Sequence, residues 1–290
     1  MFFSHITGLP HQRNENMKKQ ANIDRRSALQ TLGALGVAST LISEKAYGQG
    51  TTKKADAFAL IGDSAHPFDL IKTALDANIV KGINITIDYS NDITQLNASK
   101  LDGYRLLITC RGGIGDLTVP MEKDIQAFIQ NGGAALFLHN STDIATDTFV
   151  MRDIIGGHWL QHSGVLANSS TVRSYKVRIT NKNHPITKGV NDFETVGEHH
   201  YNQYDKDPRF VFMTNDTMDG WAYNNIVGDK HYDERLGTRC FGPSRASGWA
   251  YDYGKGRVCF MAPGHTYEEY MNLEFVKLQK NAVRWCLKQI

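Results

Sequence analysis

Cysteine is scarce in this chain of 290 residues: Cys110, Cys240, Cys259 and Cys286 are the four present, and no two of them form a C-x-x-C pair. That excludes a zinc ribbon and a redox dithiol. The even number permits disulfides in an oxidising setting, with no connectivity readable from spacing. Cys110 and Cys259 lie in apolar runs, where the expected role is that of a small buried hydrophobe. An excess of charge of one sign is also missing. A formal net charge of +2 with 21% charged residues supplies no basic stripe, so no nucleic-acid partner is expected. There is no G-x-S-x-G nucleophile elbow, no G-x-x-x-x-G-K-[ST] phosphate loop and no G-x-G-x-x-G opening the first helix, which leaves no sign of a nucleotide cofactor. Internal repeats and low-complexity segments are absent. Hydrophobic residues at 41% are ordinary for a globular domain, and no apolar run is long enough to span a bilayer, so the mature protein is expected to have no membrane span.

What is present begins with residues 1–50. Lys18-Lys19 and Asp24-Arg25-Arg26-Ser27-Ala28-Leu29-Gln30 precede a weakly apolar stretch from Thr31 to Ile42 and the small-residue segment Ala46-Tyr47-Gly48. This order resembles a twin-arginine export signal, and the resemblance implies a periplasmic or secreted protein that folds before export. The alternative is an amphipathic helix with an incidental Arg-Arg pair. Removing such a leader leaves about 240 residues, within reach of one α/β domain with a full core, here residues 57–290.

Along that domain, Ala57-Phe58-Ala59-Leu60-Ile61 is a short, wholly apolar strand candidate, and Pro67 opens a helix whose Leu70, Ile71, Ala74 and Leu75 form one stripe. Further strands are expected from Ile83 to Tyr89, at Leu106-Leu107-Ile108 and from Ala134 to Leu138. A helix from Met121 to Gln130, stopped by Gly132-Gly133, lies between the last two. Such alternation predicts a doubly wound, mostly parallel sheet with helices on both faces. The second half is less regular. Thr171 to Thr180 and Arg209 to Thr214 read as strands, and residues 215–245, rich in Gly, Asn and Asp, as a long functional loop. Ser247 to Tyr253 and Gly256 to Ala262 make a hairpin, followed by a helix from Leu273 to Leu287.

In open parallel sheets ligands bind beyond the carboxyl ends of the strands. The polar residues at those places are histidines: His66 after Gly62-Asp63-Ser64-Ala65, His139 directly after the fourth apolar strand, and His265 in Ala262-Pro263-Gly264-His265. The middle of the chain adds Gly157-His158-Trp159-Leu160-Gln161-His162 and Glu198-His199-His200-Tyr201. Each histidine has a plainer reading, a bond from its ring to a neighbouring carbonyl. His158 and His162 either share a helix face and a metal or flank Trp159 at a loop. Their H-x-x-x-H spacing lacks the Glu of a metalloprotease. His184 reads as turn chemistry and His231 as a solvated loop residue. The run Gly112-Gly113-Ile114-Gly115-Asp116 reads as a turn more than as an anion site.

Four segments in order resemble the trehalose-utilisation (ThuA-like) family: Gly132-Gly133-(x)5-His139, Ile155-Gly156-Gly157-(x)4-His162, His184-Pro185-Ile186-Thr187-Lys188-Gly189 with Glu198 downstream, and Tyr253-Gly254-Lys255-Gly256-Arg257-Val258-(x)5-Gly264-His265. The resemblance implies a flavodoxin-like fold similar to class I glutamine amidotransferases, with His139 where those enzymes place a nucleophilic cysteine and His265 near their catalytic histidine. Thiolate amide hydrolysis is thereby disfavoured. It further implies a small-molecule carbohydrate substrate, a glycoside or its 3-keto derivative, acted on by elimination, hydration, isomerisation or hydrolysis. On that reading His139 and His265 are the candidate ligands of a divalent, zinc-like metal, and Glu198 is the general base. His66 and His162 position substrate or transfer protons, while Asp63, Trp159 and Tyr201 bind the sugar. An exported carbohydrate-binding protein without catalysis is the rival reading, and homo-oligomerisation is left open.

Overall fold

The computed structural model describes residues 54–112, 117–144, 148–162, 172–216 and 244–290, with the backbone alone at 160–162 and 244–245. The expected leader, residues 113–116 of the glycine cluster, and residues 217–243 of the expected loop, with His231 and Cys240, lie outside the described residues.

Eleven described strands run in chain order: β1 (Ala57–Ile61), β2 (Ile87–Ser90), β3 (Leu106–Cys110), β4 (Ala134–Leu138), β5 (Gly157–His162), β6 (Val172–Ile179), β7 (Phe193–Glu198), β8 (His200–Tyr204), β9 (Val211–Asp216), β10 (Ser244–Tyr253) and β11 (Gly256–Met261). Nine of them form one sheet in the order β2-β1-β3-β4-β11-β10-β9-β6-β7, while β5 and β8 pair separately. From β2 to β11 the neighbours are parallel, and from β11 to β7 antiparallel. The parallel part has the flavodoxin-like strand order, with its switch point between β1 and β3. The expected α/β fold is present, extended by an antiparallel wing.

Strands β1, β3 and β4 are buried at every residue, because helices cover both faces and leave no side to solvent. Alternation then sends Ala59, Ile108, Leu136 and Cys259 to one core, packed by Ile71 and Leu75 of α1 (Phe68–Leu75) and by Phe275, Leu278 and Ala282. Phe58, Leu60, Leu107, Phe137 and Phe260 enter a second core on the other face. It is closed by Leu101 of α2 (Ala98–Leu101), Ile125, Phe128 and Ile129 of α3 (Val119–Gln130), and Met151, Ile154 and Ile155 of α4 (Phe149–Ile155). Two short-separated helices end the chain, α5 (Tyr267–Met271) and α6 (Leu273–Cys286). Cys110, Cys259 and Cys286 are free, buried thiols.

Three expectations change. The second strand begins at Ile87, not Ile83, because the first helix runs on through a π-helical turn at Asp76–Val80 and a last turn at Lys81–Ile83, ending on Asn84 at φ 56. The wide turn places Asn78 in the interior, where its amide donates to the Tyr270 carbonyl at 2.8 Å. The segment holding His158 and His162 is the strand β5, so the shared-helix-face reading falls: at about 3.3 Å per residue the two lie about 13 Å apart along the strand. His158 instead lies 4.0 Å from Asp205. The hairpin strand β10 begins at Ser244, earlier than expected, because its ladder with β9 reaches back to the Ser244–Asp216 pair.

Candidate functional site

The register brings the carboxyl ends of β1, β3, β4 and β11 to one edge, with Ile61 opposite Cys110 and Leu138 opposite Met261. Just beyond β1, the Asp63 carboxylate accepts from the backbone N–H of Ala65 (2.8 Å) and His66 (3.0 Å), from Gly112 N–H (2.9 Å) and from the Asn140 amide (2.6 Å). Burial pushes this carboxyl up, but the hydrogen bonds from His66 and Gly112 outweigh it and hold it well below the carboxylate range. An ionised carboxylate only accepts, so His66 donates through Nδ1 to Asp63 Oδ1 at 2.8 Å and turns Nε2 away from it. Asp63 and Gly112 thus meet at the β1–β3 switch point.

His139, the first residue after β4, is wholly buried and has φ 46. A left-handed backbone at a non-glycine residue is strained, and such strain concentrates at functional sites. Its Nδ1 bonds the Ala262 carbonyl at 2.8 Å, so the plainer reading of a strand-end histidine is satisfied at one nitrogen. The other, Nε2, is buried without a hydrogen bond and lies 3.6 Å from Glu198 Oε2. Burial lowers the His139 pKa to about 4, against the pull of Glu198, so the ring is neutral at pH 7.

Glu198 is the last residue of β7. Its Oε2 lies 3.4 Å from His265 Nδ1, 3.4 Å from His200 Nε2 and 3.6 Å from His139 Nε2. His66 Nε2 is 3.1 Å from His265 Nδ1. One ligand atom from each of His66, His139, Glu198 and His265 lies within 4.8 Å of every other. The His200 ring packs 4.0 Å from that of His139, backing the cluster. Three imidazoles and one carboxylate are a donor set suited to a zinc-like ion. The bare, buried Nε2 of His139 and the carbonyl bond that orients its ring fit such an ion, since ligating histidines usually donate their other nitrogen to a carbonyl or carboxylate. His66, tied to Asp63, has the same arrangement.

Beside the cluster opens a cleft of ≈ 540 Å³ lined by Asp63, Ser64, His66, Arg111, Asn140 and Asp143, among others. Burial pushes the Asp143 carboxyl up to about 7, opposed by His66 and reinforced by the charges of Asp63 and Glu198. Arg111 ties the β1 and β2 ends together by donating to the carbonyls of Gly62 (2.8 Å) and Asn91 (3.1 Å).

Of the residues singled out from sequence, His66, His139, Glu198 and His265 converge, and Asp63 supports them. The side chain of His162 lies outside the described residues, although its backbone pairs with His200. Trp159 stands in β5 opposite Asn202. Tyr201 is fully buried with its ring 4.7 Å from that of His199, which leaves it no exposed face for a sugar. Sequence reasoning missed Arg111, Asn140 and Asp143. The strand-end rule applied to β3 reaches Arg111, and the first turn after His139 reaches the other two.

The sequence profile of the family described as trehalose utilisation, ThuA, matches residues 40–286. A thua-like protein of Bacteroides uniformis ATCC 8492 has the same fold at TM-score 0.56 and 20% identity, over 83% of this chain and 95% of that one. Another thua-like protein, of Parabacteroides merdae ATCC 43184, reaches 0.56 at 14% identity over 82% and 91%. A cytoplasmic protein of Salmonella typhimurium LT2 reaches 0.51 at 12% identity over 79% and 99%. At these identities the solved structures show a shared fold and nothing about chemistry. No curated protein sequence matches the chain.

Proposed function

The chain belongs to the ThuA, trehalose-utilisation family, and from that premise we propose that it is an exported, metal-assisted enzyme acting on a glycoside or a 3-keto-glycoside. The family description supports a carbohydrate-related role, the arginine pair at 25–26 supports export, and the histidine–carboxylate cluster supports the metal. The observation that carries the reading is the convergence of four ligand atoms within 4.8 Å, one of them the buried Nε2 of His139 that makes no hydrogen bond. The nearest acceptor to that atom, Glu198 Oε2, lies 3.6 Å away, and an ion between the two would satisfy both.

His139, His265 and Glu198 would hold the ion, with His66 completing the set or facing the substrate. On this reading Glu198 is one of the ligands, whereas the family resemblance implied a general base. A bound divalent ion supplies Lewis-acid polarisation of a substrate oxygen, which makes a proton next to a ketone easier to remove. Acid–base work then falls to the cleft. Asp143, with its carboxyl pushed up to about 7, holds or takes a proton at the pH where the transfer is most efficient. Where the ion is held by His139, His265 and Glu198 alone, His66 Nε2 would be the second site of proton transfer, its ring oriented by the Asp63 carboxylate. Asn140, Ser64 and Arg111 offer the donors and acceptors a polyhydroxylated ligand requires.

The test is elemental analysis of the purified full chain before and after chelation, run beside turnover assays on a panel of glycosides and their 3-keto derivatives. Near-stoichiometric divalent metal, lost in His139→Ala together with turnover, is the expected result. Turnover by a metal-free protein would remove the metal from the reading. Sugar binding with no turnover of any substrate would favour the carbohydrate-binding alternative.

A further inference from the structure

A carboxyl that the proposed chemistry does not use sits at the centre of the connections around the cluster. Glu269 in α5 is wholly buried, and its Oε2 accepts from three successive backbone N–H groups, Gly264 (3.1 Å), His265 (2.6 Å) and Thr266 (3.1 Å). Successive N–H groups converging on one oxygen form a nest, which needs an acceptor to hold its shape. Oε1 accepts from the Tyr175 hydroxyl of β6. The same carboxyl lies against the backbone of Gly197: a Cβ there would come within 1.9 Å of its carbon, so only glycine admits it. Gly197 immediately precedes Glu198. Thr266 also donates its hydroxyl to the Val196 carbonyl at 2.7 Å, joining the same turn to β7 a second time.

Two functional side chains that belong to different halves of the sheet are therefore seated on one group. His265 hangs from the turn after β11, and Glu198 from the end of β7, an edge strand whose ladder partner is β6. Capping the short helix α5 requires Glu269 to accept from Thr266 alone; the bonds to Gly264, His265 and Tyr175 go beyond a capping box.

We infer that Glu269 is a positioning residue which clamps the 264–266 turn to the Gly197 backbone, with Tyr175 as its brace, and so sets the distance between His265 and Glu198. The inference rests on the metal-site reading for its consequence, and the geometry of the clamp stands without it. A glutamine retains the carbonyl oxygen for the nest and offers its amide to the Tyr175 oxygen, so shape and not charge is the requirement.

The experiment titrates Zn²⁺ into the chelator-treated full chain by calorimetry. In parallel, it records the imidazole ¹⁵N–¹H correlations of His265 without metal, with urea unfolding to verify that each variant is folded. Glu269→Gln is expected to bind Zn²⁺ within about 3-fold of the parent, and Glu269→Ala to bind it about 10- to 100-fold more weakly, the loss typical of an outer-shell partner. Glu269→Ala should also displace the His265 ring resonances. If Glu269→Ala fails to fold, Tyr175→Phe carries the test, since it removes the brace and leaves the three N–H bonds; a weaker Zn²⁺ affinity and shifted His265 resonances are expected. A folded Glu269→Ala or Tyr175→Phe with parental affinity and unmoved resonances overturns the clamp. A parent that binds no Zn²⁺, while Glu269→Ala still shifts His265, overturns the metal reading and leaves the clamp standing.

Discussion

In the parallel half of the sheet, β1, β3 and β4 are buried at every residue, and each hands its functional side chain to the site simply by ending. In the antiparallel wing, β7 alternates buried and exposed residues, carries Glu194 and Val196 into solvent, and stands at the outer edge of the sheet. His66, His139 and His265 come from the first region and Glu198 from the second. Rigid, doubly covered strands place a residue through their own register. An edge strand needs outside help to place one, which here comes through Gly197, Thr266 and Glu269.

Four predictions bear on that contrast. The largest effect is expected where the two regions meet. Glu198→Gln and His139→Ala should each lower turnover at least about 100-fold, the scale of losing a group central to acid–base or metal chemistry. If either variant retained parental turnover and metal content, the two regions would not share one site. Next comes the cleft. A base at Asp143 must be ionised, so activity should rise with pH through about 7, and Asp143→Asn should abolish that limb while metal content is retained. A pH–rate profile that kept the limb in the variant would assign it elsewhere.

Stability should divide in the opposite sense. Phe137→Ala in β4 removes a fully buried ring and is expected to cost about 3–5 kcal/mol, whereas Val196→Ala on the exposed face of β7 should cost under about 0.5 kcal/mol. Urea unfolding of both variants is the measurement, and equal losses would erase the distinction. The smallest effect concerns His184, whose ring stacks on Phe212 and whose pKa is lowered to about 4 by burial and by the Arg257 charge. The unfolded chain takes up this proton near the ordinary value of 6.5. Acid therefore favours unfolding across that window, and the contribution of the neutral ring is fully present only above it. His184→Phe should flatten the melting temperature between pH 6.5 and 4 while leaving metal binding intact. An unchanged slope would assign it to other groups, among them His139 and His265, whose pKa values burial lowers.

Much of this division could be read in advance for the parallel half. Runs such as Ala57–Ile61 and Ala134–Leu138 are apolar because both faces are covered, and the polar residue that follows such a run must lie at the ligand-binding edge. His66, His139 and His265 were found that way. Glu198 enters from the sequence through the run Glu198-His199-His200-Tyr201 and takes its role from likeness to a family, while β7, which carries it, is not among the strands that the pattern predicts. Tyr201 looked available for stacking, yet its pairing opposite Gln161 in the separate β5–β8 ribbon sends it into the interior. His158 and His162 had a helix-like spacing, and pairing with β8 made them strand residues. Glu269 closes a capping box on Thr266, and nothing local shows that its carboxyl also meets Gly197 and Tyr175.

The sequence by itself determined most strand and helix periodicities of the parallel half and the three histidines at its edge, because those follow from local hydrophobic patterning and from where apolar runs stop. Only the tertiary structure decided that Glu198 joins them, that Asp143 shares a cleft with His66 and that Glu269 meets both the His265 turn and the Gly197 backbone beside Glu198. Each depends on strand pairings and burial between residues far apart in the chain, and neither propensity nor spacing encodes contacts made at that separation.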